Sequence, residues 1–145
     1  MGLFDPISTA ETGVNVSQTW MDAISDNISN MNDVTTTSQG AYQTRFVVAG
    51  DIPGQVEGTG PGSATEAAIG GGTQVEGVAL GSPAGQLEYD PGSPLADKNG
   101  MVRAANVDLG QQMTNMMLAQ RGYEANLATI SQAESAYQAA LNMTV

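Results

Sequence analysis

The chain has neither cysteine nor histidine among its 145 residues. Those two absences remove disulfides, thiolate nucleophiles, Cys/His zinc sites and imidazole acid-base catalysis together. Positive charge is almost missing as well: four Lys and Arg stand against fifteen Asp and Glu, for a formal net charge of −11. The four are Arg45, Lys98, Arg103 and Arg121. No basic patch is therefore present to meet a phosphate backbone or an anionic bilayer, which argues against nucleic acid and against direct membrane insertion. No apolar run approaches the ~18 residues of a membrane span. No basic residue precedes an apolar stretch as it does in a cleaved secretory signal. The expectation is a soluble cytoplasmic protein, or one exported by a machine that reads something other than a cleavable signal.

What is present is periodicity at both ends. From Asn106 to Val145, steps of three and four residues collect Met113, Met116, Gln120, Tyr123, Leu127, Ile130, Glu134, Tyr137 and Leu141. Such spacing stacks side chains on one face of a helix. The rest of this helix carries Gln, Asn, Ser, Thr and Ala in place of the charged coat usual on a solvated face, and Gly122 in its interior reads as a contact point. Near the other end, Asp5 before Pro6, or a capping box from Ser8 to Glu11, opens a second helix. Its stripe runs Ile7, Ala10, Val14, Ser17, Met21, Ile24, Ile28 and Met31, again with few charges nearby.

Between the helices, the alternation of Tyr42, Thr44, Phe46 and Val48 predicts a strand over 41–49. Residues 73–80, 86–89 and 101–104 are further strand candidates, and Asn99-Gly100 reads as the hairpin turn before the last. The Gly, Pro, Ser and Thr content of 50–72 predicts a flexible loop. The expected fold is mainly α with a small β-rich insert, its N- and C-terminal long helices forming a coiled-coil-like pair. The expected divisions are a helix over 1–33, an insert over 34–105 and a helix over 106–145. A lone helix pair of this length buries too little to offset the cost of ordering it. The charge-poor outer faces then favour burial against other subunits, with ends that order on polymerising. The expected interface residues are Ile7, Val14, Met21, Ile24, Ile28, Met31, Met113, Met116, Tyr123, Leu127, Ile130, Tyr137 and Leu141.

No chemical site competes with this reading. A Walker loop needs Lys followed by Ser or Thr, and the only lysine, Lys98, precedes Asn99. Asp90, Asp97, Asn99 and Asp108 lack the alternate-position spacing of a calcium loop and read as turn residues. Met21, Met113, Met116 and Met117 read as packing, and Asn27-Ile28-Ser29 as a chance glycosylation match. No catalytic, cofactor or metal residue is assigned, and an enzyme is not expected.

Several local motifs resemble a known family. Met1-Gly2-Leu3-Phe4, Thr12-Gly13-Val14 and Asp26-Asn27-Ile28-Ser29-Asn30-Met31-Asn32 resemble the N-terminal signature of flagellar rod and hook proteins. Glu88 through Asp97, Gly100 and Asn106-Val107-Asp108 resemble the proximal-rod branch. Met113-Thr114-Asn115-Met116, Ala119, Arg121, Tyr123 and Asn126 resemble the family's last helix. The chain departs where acidic residues usually precede that methionine and Gln111 and Gln112 stand instead. The resemblance implies a structural subunit of the basal-body rod, exported through the flagellar type III apparatus to the periplasm. It implies partners among its own copies, proximal and distal rod subunits and proteins at the MS-ring/rod junction. A soluble adaptor that binds one helical partner is the alternative.

Overall fold

In the computed structural model, which describes residues 5–53 and 71–143, two long helices enclose five strands in chain order. They are α1 (Asp5–Ser29), β1 (Val34–Thr35), β2 (Arg45–Asp51), β3 (Thr73–Leu80), β4 (Gln86–Tyr89), β5 (Met101–Ala104) and α2 (Leu109–Met143). The Met1–Phe4 motif and residues 54–70 of the expected loop lie outside the described residues.

Local chemistry sets the helix ends. Asp108 caps α2: its Oδ1 accepts the Gln111 amide at 3.2 Å and its carbonyl accepts that of Gln112 at 3.0 Å, which satisfies donors the first helical turn leaves open. Asn30 closes α1, its side-chain Nδ2 donating to the Asp26 carbonyl at 2.7 Å.

The helices pack antiparallel through small and polar residues. Asn27 Nδ2 donates to Gln112 Oε1 at 3.1 Å. Further along, a Cβ on Gly122 would stand 3.3 Å from Ser17 Oγ, and one on Gly13 would stand 2.6 Å from Asn126 Nδ2. On α2 only Gln112 and Ala119 are buried. On α1 the buried positions are Ala10, Ser17, Ala23, Ile24 and Asn27.

The strands form two sheets. β1, β5 and β4 make a three-stranded antiparallel sheet with β5 central, and β2 and β3 make a separate antiparallel ribbon. The first sheet closes over Val102, 1% exposed, with Ala41 and Ala105 also buried. Arg103 ties its flanks, donating from Nη2 to the Thr37 carbonyl at 2.9 Å and from Nη1 to the Ala84 carbonyl. The ribbon lies along α1 and is held at both ends. Asn27 bonds the start of β2, and the Thr73 amide donates to Thr12 Oγ1 at 3.1 Å. Gly72, at φ +111, approaches Thr12 so closely that no larger residue fits. The two pins are fifteen helical residues apart, roughly 22 Å, and seven strand residues span about 23 Å.

This architecture corrects the expected fold class. The chain is α plus β with two separate sheets, and its helices do not form the expected coiled-coil-like pair. Part of the expected stripe is not at the contact: Met113 is 57% exposed and Leu127 43%, while Met116, Tyr123 and Ile130 are half-buried. The inward face begins one residue earlier, at Gln112 and Ala119, because Gly13, Ser17 and Gly122 bring the backbones closer than a seam of large residues allows. β3, β4 and β5 coincide with the strand candidates at 73–80, 86–89 and 101–104. β1 arises where no strand is expected, and β2 starts late because Thr44 turns inward to donate to the Asn106 carbonyl at 3.1 Å. Gly50 and Asp51 of the expected loop belong to β2. The Asn99-Gly100 pair is not a two-residue hairpin. β4 and β5 are joined by residues 90–100, and Gly100 alone of that pair has positive φ.

Asp97 organises that connection. Its Oδ1 accepts the Asn99 amide at 2.8 Å and the Met101 amide at 3.0 Å, and Thr37 Oγ1 donates to Oδ2 at 3.3 Å. The Met101 bond first, then that of Asn99, hold its carboxyl below the usual carboxylate range. Two outcomes are expected. Asp97, with its folded-state pKa lowered, stabilises the fold at neutral pH, and that stability is lost as pH falls from the ordinary range, near ~4, through the lowered value. The difference in melting temperature between wild type and Asp97→Asn should therefore shrink on acidification; a gap that stays constant from neutral pH to pH ~3 contradicts it. Gly13→Ala should also be coupled to Asn126→Ala by about 1 kcal/mol, read in a double-mutant denaturation cycle, because the added methyl meets the Asn126 amide. Additive effects would show that the helices do not touch there.

Candidate assembly surface

The site is built outward from a buried amide. Asn27 stands between Ile24 and Ile28 on the inward side of α1, and it is 1% exposed. All of its hydrogen-bonding capacity is met. Nδ2 donates to the Arg45 carbonyl at 2.9 Å and to Gln112 Oε1 at 3.1 Å, while Oδ1 accepts the Arg45 amide at 2.8 Å and Tyr42 Oη at 3.1 Å. By exchanging two bonds with the backbone of Arg45, the carboxamide acts as a neighbouring strand would. One side chain therefore joins α1, β2 and α2. An exposed ion pair between Arg45 and Asp26 flanks it and adds little, being open to water. Gln112 is 3% exposed and accepts from Asn27 Nδ2, so it serves here as a neutral group where a glutamate would bury a charge.

Around this node the usual distribution of side-chain size is inverted. The buried hydrophobic residues among those described are Ala10, Ala23, Ala41, Ala105 and Ala119, with only Ile24 and Val102 larger. Large apolar side chains lie outside: Leu109, Met113, Met117, Leu118 and Leu127 on α2, and Phe46, Val48, Val78 and Leu80 on the ribbon. Large apolar side chains left exposed in this number are a feature of interaction sites.

The thirteen expected interface residues divide accordingly. Ile24 is buried inside the subunit. Ile7, Val14, Met21, Ile28, Met31, Met116, Tyr123 and Ile130 are half-buried, and Met113, Leu127, Tyr137 and Leu141 are exposed. The ribbon's outer face, Leu109, Met117 and the Asn27–Gln112 pair were not among the expected residues. A signal for the pair was available: Asn27 falls on the apolar face of its helix, and Gln112, Ala119 and Asn126 recur at seven-residue intervals.

The acidic turn residues serve the backbone. Asp90 Oδ1 accepts the Gly92 amide at 3.2 Å, Asp97 holds its own loop, and Asp108 caps α2. A cleft of about 320 Å³ beside the node is lined by Thr44, Phe46, Ser82, Asn106, Asp108 and Gln111, among others, and is mostly polar. No group of three or more His, Cys, Asp or Glu suited to a metal occurs among the described residues.

Asn27→Ala is expected to lower unfolding free energy by about 3 kcal/mol, since it leaves the Arg45 backbone and Gln112 buried without their partners. Chemical denaturation measures this. A loss below ~1 kcal/mol would mean that the node does not hold the three elements together.

Residues 98–143 match the family described as Flagellar basal body rod FlgEFG protein C-terminal. The chain is 32% identical to the flagellar basal-body rod protein FlgC of Borreliella burgdorferi, over 97% of both chains. It is 32% identical to that of Salmonella typhimurium, over 93% of this chain and 92% of the relative. The Agrobacterium fabrum FlgC is 33% identical over 88% of each.

Proposed function

The chain belongs to the FlgC family of flagellar basal-body rod proteins, and from that premise we propose how its surface builds the rod. It is a structural subunit of the basal-body rod of the bacterial flagellum, and it assembles with other rod components.

The observation that carries the proposal is the inversion of side-chain size: alanines and amides pack within the subunit while methionine, leucine and the ribbon's apolar residues face out. A subunit of this construction gains most of its apolar burial from neighbours. In this reading α1 and α2 are the polymerising elements. Met113, Leu127, Tyr137 and Leu141 enter subunit contacts outright, and the half-buried Ile7, Val14, Met21, Ile28, Met31, Met116, Tyr123 and Ile130 complete their burial there. Ile24 supports the contact from inside. The subunit occupies the proximal rod, between proteins of the MS-ring/rod junction and the distal rod. It carries torque toward the hook, and it reaches the periplasm through the flagellar type III export apparatus without a cleavable signal. It performs no catalysis, and it needs neither cofactor, nucleic acid nor membrane insertion.

Leu127→Asp tests this. Because Leu127 is exposed, the isolated chain should keep its stability within about 0.5 kcal/mol. In cells whose only copy carries the substitution, basal bodies should lack a complete rod and motility should be lost. Intact rods of normal length would overturn the assignment of α2 to a subunit contact.

A further inference from the structure

Gly77 lies in β3 opposite Val48, beside a bulge at which Val48 pairs with Gly77 and Ala49 with Val75, so that Glu76 is the extra residue of β3. The φ of Gly77 is not positive, and no atom stands within 4 Å of where a Cβ would be. In a strand interior a glycine weakens pairing and accompanies a bulge or a close approach by another backbone. The bulge is a local reason for a glycine here, and the missing side chain leaves the position open to a second surface. The absent side chain opens a shallow hollow of about 310 Å³ lined by Val48, Glu76, Gly77, Val78 and Ala79. Glu76 is exposed, lies over Gly50, and has no ion pair among the described residues.

A matching ridge exists elsewhere on the same chain. Leu109, Met113, Met117 and Arg121 follow at intervals of four on one side of α2, all exposed. Arg121 is the only basic residue of α2 and has no ion pair among the described residues. The lengths agree: Met113 to Arg121 spans roughly 12 Å of helix, and Leu80 to Glu76 spans about 13 Å of strand.

We propose that the hollow at Gly77 on one subunit receives the Met113–Met117–Arg121 ridge of a second copy of this chain, with Arg121 paired to Glu76. The methionines fill an irregular, side-chain-free depression, a role their flexible thioethers suit. Hollow and ridge occupy different places on the subunit, so the contact is head-to-tail. Repetition then gives an open helical array, where a self-complementary patch would close into a dimer. The proposal rests on the reading that the chain assembles with itself.

Sedimentation of the purified full-length chain over a range of concentrations tests it, with Glu76→Arg, Arg121→Glu and the two combined. One substitution makes the chain less acidic and the other more acidic, so general charge repulsion predicts opposite effects. A specific pair predicts that each single change weakens association by about tenfold or more and that the combination restores it. Both residues are exposed, so monomer folding is expected to be unaltered, which circular dichroism verifies. Association that survives either single change, or that the combination fails to recover, overturns the docking and leaves the rod assignment standing. A chain whose wild type never associates overturns self-assembly and the docking with it.

Discussion

The Asn27 carboxamide is the interaction on which the rest of the subunit depends. A buried amide has four hydrogen-bonding positions to satisfy, and any left open costs more than a made bond returns. Here each has a partner, and the partners belong to α2, to the backbone of β2 and to Tyr42. Sliding α2 along α1 by one turn would break the Gln112 bond. Shifting β2 by one residue would present the wrong backbone groups to Asn27. The node thus fixes two registers at once, and the Thr12–Thr73 bond at the far end of the ribbon keeps the second from drifting.

Fixing register with polar groups frees the helix contact from large apolar residues. Gly13, Ser17, Ala119 and Gly122 let the backbones come close, and methionines and leucines that would otherwise fill a seam turn outward. The same choice that makes the monomer's interior thin makes its exterior adhesive. For a subunit of a shaft this division has a mechanical sense, because internal geometry is held by directional bonds while neighbours are held by non-directional burial.

The existence and type of both helices and the positions of β3, β4 and β5 were legible because apolar period reports secondary structure directly. The helix partner face was not. Met113 and Leu127 dominate any hydrophobicity count, whereas Gln112 and Ala119 contribute little to it, so a stripe through the larger residues was taken for the inward one. Period locates an apolar face but does not say whether that face meets the same chain or another. The expectation that the chain is no enzyme rests on missing residue types, chiefly cysteine and histidine. The ribbon's role was hidden for a different reason: its exposed valines and phenylalanine alternate as a half-buried strand would, and the side they present depends on α1 covering the other.

Electrostatics sets a condition on how such subunits meet. Of the four basic residues, Arg45 pairs with Asp26 and Arg103 donates to backbone carbonyls, which leaves Lys98 and Arg121 available for neighbours. Against a net charge of −11, two cations cannot neutralise a stack of like subunits. Long-range repulsion therefore opposes approach at low ionic strength and fades beyond about 10 Å at ~0.1 M salt. Once surfaces touch, apolar burial around the ridge and ribbon acts at distances where that screened repulsion is weak. On the proposed reading, charge in this chain keeps free subunits apart, and exposed methionine, leucine and valine hold them once in contact.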